Sequence, residues 1–335
     1  MKVTGSSDLG RLAGLRRAAA ETRAGLDRAA TEMTTGENTS RYDATSGNIT
    51  RIFAIERELD RNAVFAGTIA LTTVRVDTAQ NVLGLILSPL QSLSSDLPSA
   101  VSIGDVSSSL VHARAARNAF ADTVNALNTQ TGGLSLFAGA ATDSPALASA
   151  ETILGELDGL ATSAGTAAEA IAAIDAYFTA PDGGFFTRGY LGSTDDLAAV
   201  DIGAGRRLDY APRADAAELV DALRSEALAA VVAGGAFAGD EAARMTLLGA
   251  AGTAMLGAKE GILDLRSAVG VTQEALENAK AARTAEKDTL DLARNAIMTV
   301  DPTEAAATYQ ALETQLQAIY TVTARLGELS YVRYM

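Results

Sequence analysis

Few residues in this chain are of types and spacings that could carry chemistry. There is one histidine, His112, and no cysteine. Without Cys, disulfides, thiolate metal sites and Cys nucleophiles are excluded. Zinc sites and H-E-x-x-H protease sites need at least two such ligands, and His112 has no His or Cys to join it. Catalysis would have to rest on carboxylates, Ser, Lys or Tyr. The candidates for an acid and base pair are Asp195-Asp196 and Asp240-Glu241. Adjacent acids in Gly-rich loops more often serve as solvated or helix-capping groups. Gly203-Ala204-Gly205 lacks the third glycine and the following helix of a dinucleotide fingerprint and reads as a hairpin turn. Asn38-Thr39-Ser40 and Asn48-Ile49-Thr50 match the glycosylation sequon, a match too short to assign anything. These residues describe a chain that is not an enzyme, with no catalytic, cofactor or metal site.

Charge narrows the partners. The 335 residues carry a net charge of −14. Phosphate binding is driven by clustered Lys and Arg releasing counterions, so nucleic acid is a poor partner. The acidity is local: residues 141–243 hold 17 acidic and 5 basic side chains. That segment reads as a solvated face. Asp8, Arg11, Arg16 and Arg17 lie where a cleaved export signal would need its apolar stretch. The uncharged windows Thr78 to Ser95 and Thr123 to Thr142 are broken by Gln, Asn, Ser, Pro89 or Gly132-Gly133, so neither reads as a membrane span. No membrane insertion is expected.

The elements read as mostly helical. About a fifth of the residues are Ala and only 5% are aromatic, a composition of helices that approach closely. Leu12, Leu15, Ala19, Thr22, Leu26, Ala29 and Met33 alternate spacings of 3 and 4, the stripe of a helical seam. Gly36 is placed to end that helix in a left-handed cap, and Glu37 to Asn48 reads as a polar loop. Two interleaved heptad series follow, Ile52, Leu59, Ala66, Thr73, Gln80, Leu87 and Ile55, Asn62, Ile69, Val76, Leu83, Leu90. They predict a helix of about 40 residues, roughly 60 Å long, stopping near Pro89. A Ser and Pro-rich linker at 93–102 and a helix over 106–128, packed back antiparallel, come next.

From Gly132 the pattern changes to short strands and turns. Gly132 to Gly139 reads as a strand or turn, Phe185-Phe186 as a strand, and 198–202 with 206–210 as a hairpin across Gly203-Ala204-Gly205. A helix from Asp215 to about Val232 follows. Helical pattern resumes after Gly239 and runs to about Thr299, with Gly249, Gly252, Gly257 and Gly261 as points of close contact or flexibility. Asp301 caps a last helix with Pro302 in its first turn and Glu304 placed for a capping box. Tyr309, Leu312, Leu316, Ile319, Thr323 and Leu326 again alternate 3 and 4, and Leu329 and Val332 continue the edge. An amphipathic stripe at each end is most simply buried by pairing the two ends. The fold class is therefore mainly α: a long antiparallel helical bundle or coiled-coil rod built from both chain ends, with a small α+β outer domain inserted. Its expected parts are terminal helices at 1–46 and 300–335, a helical rod domain at 47–140 and 244–299, and an acidic α+β outer domain at 141–243. Leu12, Leu15, Leu26 and Met33 against Leu312, Leu316, Ile319, Leu326 and Leu329 form the expected assembly seam.

Both ends also resemble a known family, the bacterial flagellin-type axial proteins. The resemblance covers roughly residues 9–90 and 260–335. Met33-Thr34-Thr35-Gly36 and Asn38-Thr39-Ser40-Arg41-Tyr42-Asp43 are similar to the segment after the family's first helix. Asp301 to Ala305, Gln315 to Tyr320, and Leu329-Ser330-Tyr331-Val332-Arg333-Tyr334-Met335 are similar to its closing helix. Gly133-Leu134-Ser135-Leu136-Phe137-Ala138-Gly139 resembles a segment of the family's hook-filament junction branch, hook-associated protein 3. Departures are Leu134-Ser135, where an aromatic is common, and Tyr331 and Arg333 in the closing motif. The resemblance implies an extracellular flagellar subunit, exported by the flagellar type III apparatus without a cleaved signal peptide. It implies a ring of copies of itself between hook and filament. Its implied partners are the hook-side junction protein, flagellin, and an export chaperone on the C-terminal helix. Flagellin itself, the main filament subunit, is the alternative.

Overall fold

A computed structural model of the chain describes residues 5–203, 205–209 and 212–332, with side chains from residue 10 to 326. Nine helices and two small hairpins are described. Packing divides them into two compact units, one of residues up to 63 together with residues from 284 onward, the other of residues 64–283.

In the first unit, α1 (Gly5–Thr35) packs along α9 (Pro302–Val332). Gly36, at φ +70°, ends α1 in the left-handed region that favours glycine, as its position predicts. The polar loop after it contains a short helix, α2 (Arg41–Ala44), whose N-cap Ser40 Oγ accepts from the Asp43 amide at 3.3 Å. The start of α3 (Thr50–Ser102) and the end of α8 (Glu241–Met298) complete the unit. Asn62, a heptad position and almost fully buried, donates from Nδ2 to Glu286 Oε2 at 3.1 Å. Asp301 caps α9, its Oδ1 accepting from the Thr303 amide at 2.7 Å. Those amide bonds hold its carboxyl below the usual carboxylate range.

The second unit is a helical core around the rest of α3 and α8. Here α3 departs from expectation: it runs through Pro89 and Pro98, and the linker expected at 93–102 is helix. An interior proline costs a helix about 3 kcal/mol through its missing amide and ring clash. The stripe Leu83, Ile86, Leu90, Leu93, Leu97 and Ala100 is buried on both sides of Pro89, and each buried Leu or Ile returns about 1.5–3 kcal/mol. Burial of the continued face outweighs the broken ladder. The turn falls instead at 103–105, where Gly104 takes φ +70° and Asp105 caps α4 (Val106–Leu127). The chain reverses at Gly132-Gly133, both at positive φ, between β1 (Gln130–Thr131) and β2 (Leu134–Ser135).

Two amphipathic helices that sequence reading did not pick out follow, α5 (Ala150–Ser163) and α6 (Ala167–Thr179). Thr166 and Glu169 form a reciprocal capping box at the start of α6. The expected strand at Phe185-Phe186 is a π-helical turn, Phe185–Gly189. Phe185 is fully buried against Phe178, ring centroids 5.4 Å apart. A Cβ at Gly184 would lie 2.1 Å from Tyr177 Cε2, so the chain can coil tightly there only on glycine. The second hairpin is present but short, β3 (Val200–Asp201) with β4 (Arg207–Leu208), and Ala204 and Tyr210 lie outside the described residues. Helix α7 (Ala217–Ala233) packs against α4, α5 and α6. The contact of α4 with α7 is rich in alanine: Ala113, Ala116 and Ala119 are buried on one, Ala222, Ala227, Ala229 and Ala230 on the other. Arg117 ties three elements, bonding Asp158 of α5 bidentately at 3.0 and 2.8 Å and the Ala230 carbonyl at 3.2 Å.

The four glycines at the start of α8 play different parts. A Cβ at Gly252 would sit 2.7 Å from the Pro98 ring, one at Gly261 3.3 Å from Glu218, and one at Gly249 3.7 Å from Val101. Gly257 has open space. Gly252→Val should therefore destabilise the chain by about 1–3 kcal/mol through overpacking. Gly257→Val should change stability by less than about 0.5 kcal/mol. Urea denaturation followed by circular dichroism checks both, and equal effects would refute the close α3–α8 contact.

Candidate assembly surface

The acid pairs considered for catalysis have structural duties. Asp196 forms an ion pair with Arg213 at 2.5 Å, and Arg213 also bonds Asp215 at 2.7 and 3.2 Å. These carboxylates hold the Arg213 guanidinium more firmly protonated than usual. The Asp195 carbonyl accepts from the Ala140 amide at 3.0 Å, while its side chain is exposed. Asp240 Oδ1 caps α8 through the Ala243 amide at 2.9 Å. Gly203 and Gly205 take positive φ, and the Gly203 amide donates to Asp201 Oδ1 at 2.8 Å, a hairpin turn. Half-buried His112 lies on α4, where its charge acts on the N-cap Asp105. Among the described residues no cluster of three or more His, Cys, Asp or Glu could hold a metal ion. None of the helices described is long and apolar enough to cross a membrane.

The terminal helices carry the remaining candidates. Amphipathic stripes force α1 and α9 together, and small residues bring them close: a Cβ at Gly25 would lie 3.3 Å from Leu312 Cδ1. Arg23 donates to the Tyr320 hydroxyl across the pair. Thr22 and Ala29 are the buried centre of the α1 stripe. Leu12, Leu15 and Leu26 on α1, and Leu312, Leu316, Ile319 and Leu326 on α9, are only half-buried. Met33, expected in the seam, is 44% exposed, and Tyr320 and Val322 are exposed beside it on α9. Two helices cover one side of each stripe at most, so half-burial is what a two-helix pair can give. Leu329 and Val332 lie where side chains are not described, as does Tyr331, and Arg333, Tyr334 and Met335 lie outside the described residues.

The segment after α1 locks the base of this pair. The Val300 amide donates to the Gly36 carbonyl at 2.9 Å and the Asn38 amide to the Met298 carbonyl at 2.7 Å, flanking an antiparallel bridge between Glu37 and Thr299. Arg294 reaches Glu37 at 3.3 Å. Within the Asn38 to Asp43 motif, Arg41 pairs with Glu56 of α3 at 2.9 Å and stacks over Phe53, while Asp43 faces Arg28 of α1 at 3.6 Å. Tyr42 packs on Gly47, whose φ is +89°. The motif is thus a clamp between the first and third helices. No sequence periodicity marked it, because its contacts join residues of irregular spacing.

The Gly133 to Gly139 segment is built from the inside. Leu136, Phe137 and Ala138 are buried, and the Phe137 carbonyl accepts from the Ala214 amide at 2.8 Å. Gly139, at φ +59°, passes so close to the Asp195 carbonyl that a Cβ would lie 2.5 Å from it. Its residue types answer internal packing.

Comparison with known proteins converges on the same elements. Residues 253–335, from within α8 through α9, match the family described as the bacterial flagellin C-terminal helical region. No curated protein matches the chain in sequence. Among solved structures, the chain is similar to a provisionally assigned flagellar hook-associated protein from Vibrio parahaemolyticus, at 14% identity and a TM-score of 0.50. The match covers 74% of this chain and 96% of that one. At such identity the likeness shows the fold, a mainly α architecture of long helices with few small strands. The two findings support a flagellin-type axial protein, a structural component of the flagellum.

The close approach at Gly25 gives a direct test of the pair. Gly25→Val should push α9 away from α1 and leave residues 64–283 folded. Hydrogen exchange should show faster exchange over residues 10–35 and 302–326 alone. Unchanged exchange there would mean that Leu312 does not seat on Gly25.

Proposed function

We propose that this chain is an axial structural subunit of the bacterial flagellum that acts by binding, with no chemistry, and that it forms the junction between hook and filament. The observation that carries the reading is the α1–α9 pair, whose stripes stay half-exposed, in a chain whose end matches the flagellin C-terminal region. A neighbouring subunit supplies the missing cover through a heterologous contact that repeats around a helical assembly. In this reading, terminal helices at 1–46 and 300–335 line the inner tube, 47–140 and 244–299 form the helical rod domain, and the acidic outer domain at 141–243 faces solvent. The assembly residues are Leu12, Leu15, Leu26, Met33, Leu312, Leu316, Ile319, Leu326 and Leu329. Partners are further copies in a ring, the hook-side junction protein, flagellin, and an export chaperone on the C-terminal helix. Export runs through the flagellar type III apparatus without a cleaved signal, to an extracellular position. The likeness to Gly133–Gly139 of junction proteins favours the junction over the filament.

Flagellin is the second reading, favoured by the match of residues 253–335 to the flagellin C-terminal region. Immunogold electron microscopy of isolated flagella, with antibody raised against residues 141–243, separates the two. Label in one narrow band where hook meets filament is the expected result. Label along the whole filament would make the chain a flagellin. Leu26→Asp places a charge in the half-buried stripe and should abolish assembly with residues 64–283 still folded, as judged by sedimentation and circular dichroism. Loss of that folded unit would mean the stripe belongs to an intramolecular core.

A further inference from the structure

One ionisable group lies entirely inside the second unit and takes no part in assembly. Glu226 of α7 has no exposed surface. It has a single hydrogen bond, between Oε1 and Thr123 Oγ1 of α4 at 3.2 Å, and Oε2 is buried with no partner. No cation answers it. On α4 the nearest charge is Asp122, of the same sign, while Arg117 is spent on Asp158 of α5 and the Ala230 carbonyl. On α6, Asp175 is paired with Arg224 of α7 itself. The two long helices that share this core contain no charged residue over 78–95 of α3 or 245–258 of α8. A carboxylate in such a place would lose its hydration and gain nothing, whereas a carboxylic acid keeps its charge off and can donate to Thr123.

From this geometry we infer that Glu226 is a proton-held latch: the helical unit of residues 64–283 packs with Glu226 as the neutral acid and loosens when that proton leaves. Burial, with Asp122 adding to it, moves the carboxyl up to about 8. In the unfolded chain the same group ionises in the ordinary Glu range near 4.3. The folded state therefore holds one more proton than the unfolded state between those values, and stability falls as pH rises through that window. Below it the stabilisation is complete, and above it the loss levels off. The latch is independent of the flagellar reading, since it concerns one unit of a single chain.

The test is urea denaturation of the full chain by circular dichroism from pH 4.5 to 9, for the wild type and Glu226→Gln, which keeps shape and hydrogen bonding without a titrating proton. The wild-type unfolding constant should rise by up to about tenfold per pH unit from pH 5 to 8 relative to the variant. Parallel pH dependence of the two proteins would overturn the latch. A second measurement needs no variant: the Glu226 side-chain carboxyl carbon, followed by NMR in the folded wild type, should titrate several units above an ordinary glutamate. A midpoint between 4 and 5 would overturn the proposal even if Glu226→Gln failed to fold.

Discussion

Helices in this protein approach one another as closely as their smallest residues permit, and most other features follow from that. Alanines bury the contact between α4 and α7, Gly252 accepts the ring of Pro98, and Gly25 accepts Leu312. Dispersion energy falls steeply with separation, so close backbones gain from contacts that bulky side chains would hold apart. Few aromatic residues are needed, and those present gather where the packing is irregular. Phe178, Phe185 and Phe186 fill the space around the π-helical turn.

The same economy explains why the two ends of the chain differ from its middle. The second unit surrounds its stripes on several sides and buries them. In the first unit α1 and α9 have only each other along most of their length, and their leucines stay half-covered. A stripe that one molecule cannot finish covering is a physical reason for association, independent of any family likeness. The bonds at Gly36, Asn38 and Thr299 fix the base of the pair, so the exposed half is presented in one geometry.

Sequence carried the helical skeleton because heptad and 3–4 spacing report directly on burial. The ends of α1 and α4 and the glycine turn at 132–133 were legible for local reasons: a cap or a positive φ acts within a few residues. Pro89 misled because the local penalty was visible while the opposing burial of Leu90, Leu93 and Leu97 depends on distant helices. Phe185-Phe186 misled in the same way, since paired aromatics favour strands until Gly183 and Gly184 let the chain coil onto Tyr177. Of the surface expected for assembly, the stripe was readable and its half-burial was not, because exposure is a property of what else is present. The clamp through Arg41, Tyr42 and Asp43 joins irregular positions that no period could reveal.

Two prolines inside one long helix also have a mechanical meaning. Each lacks the amide that would close the turn four residues earlier, so the carbonyls of Leu85 and Ser94 receive no such bond. Bending stiffness along α3 is therefore uneven, lowest over about three turns between residues 85 and 98. Just there Pro98 is wedged against Gly252, so the neighbouring helix splints the compliant stretch. Under axial load α3 would yield at this place first, and whatever curvature the subunit adopts in service would be concentrated there.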